Sequence, residues 1–266
     1  MTTELVTKSV RDNRGSTLGW GIALVASVAL QLAVFPAVRD AAGEFEKLLE
    51  SYPESFKALF NVRQSLASGV GYLQGEVFGF LAPLVLLGIA IGQASRATAG
   101  EEKAHTLDLL LANPVSRTRV LLDKALAVLA SVAVVTVVFA LVLLVGNGVV
   151  GLGVPWPDMV MAVVASAVVA LPFGALALLT GALTGRPGLA VAVPVGLGLL
   201  TYLLDALSSL SDGLRPWRVL SPFHHAAVND ALTGSPNWLG LVGLVVLTAA
   251  GVAGAAVAFE RREVRA

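Results

Sequence analysis

Few residues in this chain stand in patterns that could do chemistry. His224-His225, with Asp230 nearby, is the grouping that invites a metal ion. Neighbouring side chains on a helix diverge by about 100°, so an adjacent pair seldom holds one ion between them. Interfacial or helix-capping roles suit both histidines better. A phosphate cradle of the form GxxxxGK[ST] is missing: the glycine cluster at Gly181–Gly188 contains Arg186-Pro187 and no Lys-Ser/Thr pair. Cysteine is absent, which removes disulfides, thiolate metal sites and thiol nucleophiles. Glu76 and Asp205 lie at the edges of long apolar runs. Acids so placed are suspects for a transport pathway, and they suit the headgroup level equally well. No catalytic set emerges, so the expectation is a chain that is not itself an enzyme and binds no cofactor.

The elements that must position these residues are membrane spans. Hydrophobic residues make up 56% of the 266 and charged residues 14%, against about 25% charged in an average soluble domain. So much apolar surface exceeds what a core of this size can bury, and lipid must act as part of the solvent. Net charge is zero, and no basic field points to nucleic acid. Six charge-free stretches can cross a bilayer: Leu18–Val38, Val77–Ala94, Ala125–Val145, Met159–Leu183, Leu189–Leu204 and Trp238–Phe259. The fifth is short and is expected to continue past Asp205 toward Leu210. Helices are required, because lipid satisfies no backbone polar group. Pro83, Pro172 and Pro194 fall inside spans and predict kinks. The fold class is therefore all-α integral membrane, one domain over 1–266.

Basic residues set the expected orientation. With the N-terminus inside, the cytoplasmic pieces hold twelve Lys and Arg and the outer pieces six. Both termini are then cytoplasmic. Residues 1–17 predict a short helix on the inner headgroups before the chain turns into the first span. Residues 39–74 form an outer amphipathic segment, with Phe45, Leu48, Leu49 and Tyr52 at helical spacing and Phe56, Leu59 and Phe60 after Pro53. Residues 95–124 form the main cytoplasmic loop. There Thr98 and Glu101 suit a capping box, Leu107, Leu110 and Leu111 make an apolar stripe, Asn113-Pro114 is a stop, and Ser116 can cap the next helix. Residues 205–236 predict an outer loop without strong periodicity, and 260–266 a cytoplasmic tail.

The cytoplasmic loop carries a resemblance. The run Glu101-Glu102-Lys103-Ala104-His105-Thr106-Leu107-Asp108-Leu109-Leu110-Leu111-Ala112-Asn113-Pro114-Val115-Ser116-Arg117, followed by Lys124, resembles the signature of permease subunits in the type-2 exporter family of ATP-binding-cassette (ABC) transporters. That signature reads E-E, then G-T-L-E, L-L, P-x-S-R and a Lys at the start of the third span. Lys8-Ser9-Val10-Arg11-Asp12 with Gly19-Trp20-Gly21, Ser221-Pro222-Phe223-His224, and Phe259-Glu260-Arg261-Arg262-Glu263 are similar to further parts of the family pattern. His105 departs from it, standing where the family usually has Gly.

The resemblance implies two permeases, as a homodimer or with a related chain, and two ATPase subunits that hold the ATP and Mg. It implies a bacterial or archaeal plasma membrane. Glu101, Glu102, Thr106, Leu107, Asp108, Leu110, Leu111, Pro114 and Arg117 would form the ATPase-docking coupling helix and its rim. The implied activity is ATP-driven export, and the apolar spans suit a hydrophobic drug, antibiotic or lipid. Two rivals remain: an ion-coupled secondary transporter using Glu76 or Asp205, and a paired-Glu intramembrane protease. Against the protease, Thr106 stands where that motif needs Arg, and the Glu and His pairs fall on opposite sides of the membrane.

Overall fold

A computed structural model describes residues 2–41, 68–100, 116–208 and 210–261, with side chains from Arg14 onward in the first of these. Among the described residues every regular element is helical. Six helices are long and apolar enough to cross a membrane: α1 (Thr2–Asp40), α2 (Gly69–Gly100), α3 (Arg117–Val150), α4 (Trp156–Thr184), α5 (Pro187–Ser208) and α8 (Trp238–Arg261). Two short helices, α6 (Pro222–Ala226) and α7 (Val228–Ala231), precede α8.

Each expected span is present, and each is longer than its charge-free run. Charged and polar residues continue the helices past the apolar runs. The N-terminal segment is not a separate element: α1 is one helix from Thr2, 39 residues or about 58 Å long, roughly twice a hydrocarbon core. The capping box at Thr98 is also corrected. Residue 98 lies inside the end of α2, buried, and its hydroxyl donates to the Ala94 carbonyl at 3.1 Å. Ser116 does cap α3, its Oγ accepting from the Arg119 N–H at 3.4 Å. Residues 205–236 are more ordered than a loop, with a 3₁₀ turn at Arg215–Leu220 followed by α6 and α7. Ser221 caps α6 and Pro222 opens it, a local start signal rather than a break.

The bundle is built around two helices. In α2 and α4, 67% of the most apolar stretch is buried within the protein, against 22% in α1, α5 and α8. α4 packs on α2, α3, α5 and α8. Its buried face carries Ala170, Gly174, Ala177 and Gly181, and small residues let helix backbones approach where lipid provides no hydrophobic drive between helices. At Gly181 the approach is closest: any Cβ there would collide with the Thr98 hydroxyl on α2.

α2 changes its winding along its length. It is π-helical over Leu73–Leu81, α-helical over Ala82–Ser95 and π-helical again over Arg96–Gly100. Pro83 has no N–H to give the Gly79 carbonyl one turn back. The Tyr202 hydroxyl of α5 donates to that carbonyl instead, at 2.7 Å.

Candidate functional site

Most of the expected docking residues, Glu101, Glu102, Thr106, Leu107, Asp108, Leu110, Leu111 and Pro114, lie outside the described residues, as do His105 and the amphipathic segment around Phe45–Phe60. Arg117 is described, half-buried in the first turn of α3. What the structure does describe is the frame from which residues 101–115 hang: the end of α2 on one side and the start of α3 on the other.

That frame is hydrogen-bonded to α1, α5 and α8 and packed against α4. The last turns of α2 read Gly92-Gln93-Ala94-Ser95-Arg96-Ala97-Thr98. Gln93 Nε2 donates to the Thr17 hydroxyl at 3.0 Å, and Arg96 Nη2 to the Ser16 hydroxyl at 2.6 Å, which ties α2 to α1. Ser95 Oγ donates to the Pro187 carbonyl at 3.3 Å, reaching the first residue of α5. Thr98 seats on Gly181 of α4. From α3, Lys124 Nζ donates to the Ala97 carbonyl at 2.6 Å. The Thr118 hydroxyl of α3 bonds the Glu260 carboxylate at the end of α8. These hydrogen bonds, two of them at exposed positions, link helices that otherwise meet through apolar contact. The described residues on either side of 101–115 thus contact α1, α4, α5 and α8.

Glu76 and Asp205 are placed away from this frame, toward the opposite end. Neither is brought to the other. Glu76 sits within the first π-helical stretch of α2, exposed, and its carboxylate accepts from Gln31 Nε2 at 3.0 Å. Asp205, in the last turn of α5, accepts from Arg218 Nε at 2.8 Å, and its side chain is only 10% exposed. His224 Nδ1 lies 4.0 Å from the same oxygen. Burial, and then the Arg218 cation, push the His224 imidazole below its ordinary range, against the upward pull of Asp205 and Asp230. These groups edge a cavity of about 150 Å³ walled also by Phe78 and Tyr202. His225 turns aside, its Nε2 at 2.7 Å from the Val219 carbonyl. The two histidines thus have different partners, and no group of three metal-ligating side chains occurs among the described residues.

The protease alternative loses its geometry. His224 lines a cavity with Phe78 and Gly79, whereas α2 does not end until Gly100, about 30 Å further along the helix.

Sequence reading did not find Gln93, Ser95 and Arg96 as ties between spans, nor Arg218 as the partner of Asp205. The polar run closing α2 was a usable signal, since polar residues in the last turns of a span need partners. The pairing of residues 205 and 218 had no local signal.

The family described as ABC-2 family transporter protein matches residues 5–264. No curated protein matches the chain.

Proposed function

This chain belongs to the ABC-2 transporter family and is the membrane subunit of an ABC transporter; from that premise we propose that it converts ATP hydrolysis on a separate subunit into export of a hydrophobic compound. Residues 101–117 form the docking element, with Leu107, Leu110 and Leu111 as the packing face and Glu101, Glu102, Asp108 and Arg117 as the charged rim. Two copies of the chain and two ATPase subunits assemble, with both termini and residues 101–117 on the ATP side. The observation that carries this reading is the frame: the helices flanking residues 101–115 are hydrogen-bonded to α1, α5 and α8 and packed on α4. Motion of the ATPase dimer, delivered to the loop, is thereby handed to the whole bundle rather than to one hairpin. Asp205 supports the same reading by contrast. Its carboxylate is already held by Arg218, which leaves it poorly suited to carrying a coupling ion.

The test is the double substitution Leu107→Asp and Leu110→Asp in the complex with its ATPase. The expected result is loss of ATPase copurification and of ATP-driven transport, with the permease still folded by thermal denaturation in detergent. Survival of both activities would show that the stripe is not the docking face.

A further inference from the structure

Lys124 is a charged side chain in a place where charge is costly. It sits in the second turn of α3 with 4% of its surface exposed. An ammonium removed from water needs hydrogen bonds that offset its lost hydration. The neighbouring Asp123 is itself buried, and its Oδ2 has no hydrogen-bond partner. Lys124 Nζ reaches across to the Ala97 carbonyl of α2, donating at 2.6 Å. Ala97 is in the last π-helical turn before residue 101. A lysine is suited to this position by its reach and its charge together.

The clamp spans the base of the 101–115 segment. On the α2 side, the same turn is held against α4 by Thr98 on Gly181 and against α5 by Ser95 on Pro187. On the α3 side, Thr118 is held to Glu260 of α8. Lys124 crosses from α3 to this turn by a hydrogen bond.

We propose that Lys124 is a positioning residue for energy coupling: its buried ammonium locks the end of α2 to the start of α3, so that both ends of the docking segment move as one body. The proposal rests on the coupling role assigned above to residues 101–117. Without the clamp, a push on the segment splays α2 from α3 locally and dissipates before it reaches the far half of α2.

The experiment compares wild type with Lys124→Met, Lys124→Gln and Lys124→Arg by amide hydrogen exchange, first in the permease alone. Exchange over residues 96–100 is expected to speed up about tenfold in Lys124→Met and Lys124→Gln, and to stay near wild type in Lys124→Arg. Unchanged exchange in Lys124→Met overturns the clamp. The ATPase complex is then treated with Mg-ATP and vanadate, and exchange is read over residues 69–81, the far half of α2. Wild type and Lys124→Arg are expected to respond. Lys124→Met is expected to copurify the ATPase at the wild-type ratio, keep its thermal midpoint within a few degrees, and lose the far response. A full far response in Lys124→Met overturns the positioning role, and so does failure of Lys124→Met and Lys124→Gln to fold or assemble, because the residue is then a folding determinant. A wild-type permease that copurifies no ATPase refutes the coupling reading itself, and the exchange over 96–100 still decides the clamp.

Discussion

Replacing Tyr202 by Phe removes one hydroxyl and tests how the break in α2 is held. In the folded protein that hydroxyl donates to the Gly79 carbonyl at 2.7 Å. Residue 83, which would normally supply the donor one turn later, is proline. The aromatic contact of Tyr202 with Phe223, rings 5.4 Å apart and edge-on, survives the change. A net bond contributes about 1 kcal/mol, and a buried acceptor left without a donor costs about 1–3 kcal/mol. Tyr202→Phe is therefore expected to destabilise the bundle by about 2 kcal/mol. In a Pro83→Ala background the restored N–H at residue 83 can reach the Gly79 carbonyl, and the same Tyr202→Phe change is expected to cost only about 0.5 kcal/mol. The assay is equilibrium unfolding of the four variants in mixed micelles, titrated with sodium dodecyl sulfate and followed by tryptophan fluorescence. Equal costs of Tyr202→Phe in the two backgrounds, within about 0.5 kcal/mol, would refute the substitution of tyrosine for the missing backbone donor.

Other outcomes follow from the cluster around Asp205. In a double-mutant cycle, Asp205→Asn and Arg218→Met are expected to couple by about 1–2 kcal/mol, trimmed by solvent because the Arg218 side chain is 32% exposed; additive single effects in the same unfolding assay would mean the pair contributes nothing. His224 is held below its ordinary value of 6.5. The unfolded chain therefore takes up its proton first, and stability is expected to fall as the pH drops from 6.5 toward the lower folded value. Arg218 and His225 oppose the proton and Asp205 and Asp230 favour it. Thermal midpoints measured from pH 7.5 to 5 should decline less in His224→Gln than in wild type, and identical declines would remove His224 as a cause.

Legibility was uneven, for physical reasons that particular residues show. The six spans were readable because a charge-free run of this length has no soluble alternative, and Ser116 was readable because N-capping is decided within four residues of chain. The ends of the spans were not. Arg96 and Thr98 look like loop residues by polarity, yet both stay helical: the Arg96 guanidinium bonds Ser16 of α1, and Thr98 bonds back to the Ala94 carbonyl of its own helix while packing on Gly181 of α4. The docking set at 101–117 came from a resemblance, and only Arg117 of it falls among the described residues.

By itself, then, the sequence determined six runs long and apolar enough to cross a membrane, which are written in local composition and spacing. Its place among ABC-2 permeases came from the resemblance carried by residues 101–124 and from the family match over residues 5–264. The tertiary structure alone decided that α2 and α4 form the centre, since six spans of similar hydropathy are indistinguishable when lipid is as apolar as the core. It alone paired Asp205 with Arg218, gave Tyr202 to Gly79, and set the Lys124 ammonium on the end of α2. Each of these contacts joins residues far enough apart in the chain that only packing brings them together. Each such polar contact ties two elements together in a single register.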